Sequence, residues 1–241
     1  MKISIIIPAF NEESLIETAL RCASLGKDEF ARLGWKTELI VCDNNSTDRT
    51  AELACSRGAR VVFEPLNQIA RARNTGAAAA SGDWLIFTDA DSQPSAALFR
   101  EVAEQIQTGN CVAGGATLRM DGDYPIANLT VRLWNRISRA ARYLAGSFIF
   151  CETATFRKVG GFSNELFAGE EIDWSRRLKR LARAEGKTIV ILHRHPLLTS
   201  GRKMRLYTLR EHFRFLLKAI FRNRKTLTDR AACHTWYDGR R

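Results

Sequence analysis

Through its first hundred residues the chain alternates short, β-branched apolar runs with longer stretches in which apolar positions recur every three or four residues. The runs predict strands at 3–7, 38–42, 60–64 and 84–88. The stretches between and after them predict helices over 13–24, 47–56, 69–80 and 95–107. In the first helix Leu15, Ile16, Ala19, Leu20 and Ala23 form one stripe, and Ser46 or Thr47 is suited to cap the second. Such alternation predicts an α/β domain, a parallel sheet wrapped by helices. Beyond Val112 the pattern loosens into a strand at 117–120, an amphipathic helix over 126–144 and an apolar run at 148–151. A Gly160-Gly161 turn, a helix starting at Glu170, a strand at 188–192 and a basic segment from Gly201 follow. There is no internal repeat.

Composition narrows this picture. A chain of 241 residues with 45% hydrophobic content can fill a sizeable core. No stretch approaches the roughly 18 consecutive apolar residues of a membrane span, which predicts a protein that is not integral to the bilayer. The opening MKISIIIPAFNEE reads as a strand and not a signal peptide, because Pro8 and polar residues end its apolar run. The 6 cysteines are scattered without a C-x-x-C pair, which predicts free thiols in a reducing cytoplasm. The net charge of +11 is concentrated: residues 202–241 hold 12 Lys/Arg against 3 Asp/Glu, leaving +2 for the rest. A polyanion-binding surface over the whole body is not implied.

Parallel strands end on one edge of a sheet, and ligands bind in the crevice there. The first predicted strand runs into Pro8-Ala9-Phe10-Asn11-Glu12, the second into Asp43-Asn44-Asn45-Ser46-Thr47-Asp48, and the fourth into Asp89-Ala90-Asp91. Three polar, acid-rich segments therefore converge on one rim. In a straight strand residues two apart have α-carbons about 6.6 Å from each other. A Mg²⁺ ion takes oxygens at about 2.1 Å, so both Asp89 and Asp91 can serve one ion only if the chain turns between them or one acts through water. Pro94 disfavours helix at Gln93 and puts Asp91 in a turn. Mg²⁺ commonly uses one or two carboxylates plus substrate phosphates, which suits a nucleoside diphosphate.

The segments IIIPAFNEE, IVCDNNSTDRT, ARNTGAAAASGDWLIFTDAD, FRKVGGF and GEEIDWSRRLKR, in this order over about residues 3–180, resemble the family 2 nucleotide-sugar glycosyltransferases. The resemblance implies a GT-A fold, a Rossmann-like mixed and mainly parallel sheet flanked by helices. The implied domain is 1–205, with a nucleotide-sugar half at 1–110 and an acceptor half at 111–205; 206–241 would be a basic C-terminal helix and tail. It implies an inverting transfer from a UDP- or GDP-sugar to a hydroxyl acceptor, with Mg²⁺ or Mn²⁺ as cofactor. Pro8, Ala9, Phe10 and Glu12 would line the nucleoside site with Asp43 and Asn44. Asn44 stands where the family often has a second Asp, which leaves the base open. Asp91 would be the more direct metal ligand, with Asp89 nearer the ribose and Ala90 a spacer. A late histidine completes the metal set in some relatives, a role open here to His193 or His195. Arg71, Arg73 and Asn74 would touch the donor. Glu171 occupies the family's general-base position, with Asp173 in reserve, while Glu170, Phe162 and Trp174 would face the acceptor.

Other readings of the same residues stay open. Thr199-Ser200-Gly201-Arg202-Lys203 presents hydroxyls and two cations on a glycine turn, fit either for a diphosphate clamp or for a solvated basic turn. Acids at 170–173 favour a helix start, with Arg176 and Arg177 at pairing distance, whether or not one of them is a base. The basic amphipathic stretch 206–221 either packs on the domain or lies on an anionic membrane carrying a lipid-linked acceptor. No nucleic-acid-binding motif accompanies it. A sugar nucleotidyltransferase would share the sheet and the metal carboxylate but calls for a glycine-rich basic loop after the first strand, where this chain has Pro-Ala-Phe-Asn-Glu-Glu. A non-catalytic membrane scaffold working through the tail is the reading from a different class.

Overall fold

The computed structural model describes residues 1–122, 125–200, 227–229 and 233. The sheet edge expected from the sequence is built by β1 (Lys2–Ala9), β2 (Lys36–Asp43), β3 (Arg60–Phe63) and β4 (Trp84–Thr88), all parallel in the order 3-2-1-4. Between them run α1 (Ile16–Ala31), α2 (Thr50–Ser56) and α3 (Ile69–Ala79), and α4 (Ala96–Gln107) follows the short β5 (Ser92–Gln93). The second half adds β6 (Cys111–Met120), α5 (Pro125–Ala141), β7 (Phe148–Glu152), α6 (Thr153–Val159), α7 (Glu170–Ala184) and β8 (Thr188–Thr199). β7 is antiparallel to both β4 and β6, while β8 is parallel to β6 and antiparallel to β5, giving an eight-stranded mixed, mainly parallel sheet.

Both faces of the sheet are covered, which is why β1 is apolar from Ile3 to Ala9 except at Ser4, whose hydroxyl is satisfied by Glu38. Ile3, Ile5 and Ile7 enter one core layer with Ile16, Leu20, Phe30 and Phe99 from α1 and α4, while Ile6 enters the other with Ala70, Ala77, Phe162 and Trp174. α1 runs past the predicted end at 24 because Gly26 does not break it. A Cβ at Gly26 would lie 2.9 Å from the Phe99 ring, so the missing side chain lets α1 and α4 close on each other. Neither Ser46 nor Thr47 caps α2. Its first turn is held by Asp48, whose Oδ1 accepts from the Thr50 backbone at 3.0 Å.

β6 and β8 are longer than predicted, and β8 is irregular. Ala116 pairs with Leu192 and Leu118 with Leu197, so four residues of β8, His193 to Pro196, bulge out against a single residue of β6. Pro196, which lacks an N–H, sits where the ladder is already broken. Opposite, Asn135 of α5 bonds both the N–H and the C=O of Leu118 at 2.9 Å, fixing that helix to the sheet. The predicted tail at 206–241 lies almost wholly outside the described residues. Where it is described, the Leu227 carbonyl accepts from the Phe167 N–H at 2.7 Å and Cys233 is buried.

Candidate active site

At the C-terminal rim of β1, β2 and β4 lies a cleft of about 240 Å³. Its walls come from the loop after β1 (Pro8, Ala9, Phe10, Glu12), from Asn44 after β2, and from Asp89, Ala90 and Asp91 after β4. The far side is supplied by Gly146 and Ser147 before β7 and by 167–171 at the start of α7.

The turn demanded by a shared-ion reading of Asp89 and Asp91 is present. The Ser92 N–H donates to the Asp89 carbonyl at 3.0 Å, which closes a four-residue turn with Ala90 and Asp91 at its centre. Ala90 is only 5% exposed and packs into the core, so the spacer anchors the turn where all three residues border the cleft. The Ser200 N–H donates to the Asp91 carbonyl at 3.2 Å, bringing the start of the predicted phosphate clamp to this turn. Arg202 and Lys203 lie outside the described residues.

Arg73 ties the two sides of the cleft together. Its Nη2 donates to Asp89 Oδ1 at 2.9 Å and to the Gly146 carbonyl at 3.0 Å, and its Nη1 donates to Glu170 Oε1 at 2.6 Å. The side chain is 3% exposed, and its guanidinium carbon lies 5.5 Å from the centre of the Phe162 ring. The Asp89 and Glu170 carboxylates hold its pKa above the ordinary arginine value despite burial. Beside it, burial first and the Glu170 charge second push the Glu171 carboxyl up to about 8. Glu171 therefore combines a place on the cleft wall with a proton affinity far above that of a solvated carboxylate.

Asn44 has a role that its position did not announce. Its Nδ2 donates to the carbonyls of Glu64 (3.1 Å) and Leu66 (2.7 Å), and its Oδ1 accepts from the Gln68 N–H at 2.8 Å. An aspartate could accept but not donate, so this strut between loops requires the amide. Gln68 in turn donates to the carbonyls of Asn164 and Leu166, tying the start of α3 to the loop before α7. Asn11, at φ 52°, accepts from the Thr47 N–H at 2.8 Å and joins the first two loops.

Several expected residues lie elsewhere. His195 rides on the β8 bulge to α4, where its Nδ1 is 3.2 Å from Glu101 Oε2, and it does not line the cleft. His193 borders a separate surface groove beside Glu101 and Glu104. Phe162 and Trp174, expected to face the acceptor, are 2% and 0% exposed and pack with Phe87 and Phe156 beneath the site. Asp173 is paired with Arg177 one helical turn on, at 2.9 Å. Arg71 is directed to Gln68, and Asp43 is a buried turn residue accepting from the Ser46 N–H. None of these is on the cleft wall. The sequence reading missed Asn67, Ile69, Ala72, Gly146, Ser147 and 167–169. The only sequence sign of them was glycine: Gly169 takes φ 73° at the start of α7, and a Cβ at Gly146 would lie 2.9 Å from Arg73.

Among the described residues the cleft wall holds five carboxyl groups (Glu12, Asp89, Asp91, Glu170, Glu171) and one arginine already shared between two of them. The charged acids among them favour a diphosphate that arrives with added positive charge. Among the described residues no group of three metal-ligating side chains forms a complete cage. Two carboxylates on one tight turn therefore fit an ion completed by phosphate oxygens better than one held by protein alone.

Residues 4–160 match the model of glycosyl transferase family 2. The chain belongs to that family. A curated relative, the glycosyltransferase AglE of Haloferax volcanii, is 27% identical over 192 residues, covering 73% of this chain and 60% of the relative. Across eight curated relatives the matched stretch covers between 22% and 60% of their length. The mannosyltransferase PcManGT of Pyrobaculum calidifontis, solved with GDP-Man and Mn²⁺, is similar in fold at TM-score 0.66 and 18% identity, over 96% of this chain and 64% of that one. So is the glucosyl-3-phosphoglycerate synthase of Mycobacterium tuberculosis, solved with Mn²⁺, uridine-diphosphate and phosphoglyceric acid. It has TM-score 0.62 and 22% identity, over 96% of this chain and 78% of that one. The family's GT-A sheet is thus the fold of this chain.

Proposed function

We propose that the chain transfers a sugar, with inversion, from a UDP- or GDP-sugar to a hydroxyl acceptor, using the cleft between Asp91 and Glu171. The observation that carries this reading is the one cleft that the Asp89–Ser92 turn and Glu171 line from opposite sides, with Arg73 joining Asp89 to Glu170 next to Glu171. Family membership, and the GDP-Man, uridine-diphosphate and Mn²⁺ held by the two structural neighbours, support it.

Asp91, with Asp89, would hold Mg²⁺ or Mn²⁺ against the diphosphate, and the ion would supply the positive charge that makes the departing nucleoside diphosphate a stable leaving group. The chain's own residues do the rest. Phe10 and the backbone around Pro8 and Ala9 wall the nucleoside side, while Arg73 fixes the Asp89 carboxylate and holds Glu170 against the start of α7. Glu171 takes the acceptor hydroxyl's proton as its oxygen bonds the anomeric carbon and the bond from that carbon to the phosphate oxygen breaks. Ser200, and Arg202 and Lys203 beyond it, would bind phosphate oxygens from the rim. The 6 cysteines, in which no disulfide links the chain, support a reducing compartment such as the cytoplasm for this reaction.

The test is product stereochemistry. With the donor and Mn²⁺, the account predicts a glycoside of configuration opposite to that of the donor, detectable by proton NMR of the anomeric signal. A product of retained configuration would contradict one-step displacement by a Glu171-activated hydroxyl.

A further inference from the structure

The outer face of α5 has no role in the cleft and no cover among the described residues. Leu129, Leu133 and Ile137 are 68%, 56% and 44% exposed, whereas most large apolar side chains of this chain are buried. At 3.6 residues per turn these three fall within about 80° of the helix circumference. Arg132, Arg136 and Arg139, all exposed, run along one flank of that stripe, and Arg142 follows at the end. Between Pro125 and Ser147 the sequence has these 4 arginines and no Asp or Glu. The opposite face is fixed by Asn135 on Leu118, and the segment beyond the helix by the Ser175 hydroxyl on the Leu144 N–H at 3.1 Å. The helix is thus held rigidly with an apolar, arginine-edged face outward, and its C-terminal connection supplies Gly146 and Ser147 to the cleft wall.

We propose that this face of α5 seats the protein on an anionic lipid bilayer, with Leu129, Leu133 and Ile137 entering the acyl boundary and the arginines at lipid phosphates. Charge selects this occupant. Residues 201–226 carry 9 Lys/Arg against 1 Asp/Glu, so as a cover they would set cation against cation. A second copy docked face to face would do the same with 4 arginines on each side. The stripe is of bulky aliphatic residues, with the helix's aromatic residue, Trp134, partly buried off it, which suits acyl chains better than nucleobases. The connection that leaves α5 supplies Gly146 and Ser147 to the cleft, so the seated helix and the cleft adjoin along the chain. The proposal does not depend on sugar transfer, and its test needs none.

The full chain is sedimented with vesicles of phosphatidylcholine alone and of phosphatidylcholine with about one-third phosphatidylglycerol. Two variants accompany it, Leu129→Ser/Leu133→Ser/Ile137→Ser and Arg132→Gln/Arg136→Gln/Arg139→Gln. Binding to the anionic vesicles only, weakened about tenfold or more in both variants at unchanged melting temperature, is the expected result. Wild-type protein left in the supernatant, or variants that bind as it does, would overturn the proposal. A marked fall in melting temperature of the apolar variant, or a dimer it converts to monomer, would equally overturn it by showing that protein covers this face.

Discussion

Arg73 and Glu170, 97 residues apart in the chain, meet at 2.6 Å in the interior of the site, with the arginine 3% exposed. The same guanidinium reaches Asp89, so one buried cation joins the carboxylate after β4 to the start of α7. Replacing Arg73 by Met would leave two carboxylates without their partner. Loss of one member of a buried charge group costs about 3–5 kcal/mol. Arg73→Met should therefore lower stability in urea by that amount, and Arg73→Lys should recover part of the stability. The lysine cannot reproduce three directed bonds, so its kcat should stay depressed by about a hundredfold. A stable, active Met variant would rule out the bridging role.

Glu171 provides a pH signature independent of activity. Its folded carboxyl is raised from 4.5 to about 8, so the folded chain retains a proton that the unfolded chain has released. The associated stability is present below pH 4.5 and is lost as pH rises through that interval toward 8. Glu171→Gln removes the titration. In cation-free buffer the variant's melting temperature should gain on the wild type steadily from pH 5 to pH 8, while sugar transfer disappears. A difference that stays flat with pH would place the carboxyl in the ordinary range and leave the base without its elevated affinity.

Asn44→Asp separates a structural from a ligand-binding role in the second loop. The substitution removes both donors to the Glu64 and Leu66 carbonyls and buries a charge at a position 4% exposed. A loss of about 2 kcal/mol is expected in chemical denaturation. If stability were unchanged and only donor affinity moved, the strut would be incidental.

These relationships explain what could be read from the chain alone. β1, β2 and β4 were legible because strands covered on both faces are written as apolar runs, and the rim was legible because acids followed each of them. The turn at Asp89–Ser92 was anticipated from Pro94. The fate of His195 was not, because a bulge depends on the partner strand: nothing near residue 193 states that four residues of β8 stand there against one of β6. Phe162 and Trp174 were assigned outward by position in a motif, whereas their burial depends on Phe87 and Phe156, distant in sequence. Arg73 was legible only as a basic residue near the donor. Its three acceptors come from separate parts of the chain, and one is a backbone carbonyl with no sequence signature.

The account rests on a divalent cation and a nucleotide sugar entering the cleft together at Asp91. Titration calorimetry of UDP- and GDP-sugars, each with and without Mn²⁺, measures this directly on the wild type and on Asp91→Asn. One donor is predicted to bind at least about tenfold more tightly with Mn²⁺, and the Asn variant is predicted to lose that enhancement while melting at the wild-type temperature. Equal affinity with and without the cation, or an undiminished enhancement in the variant, would contradict the claim.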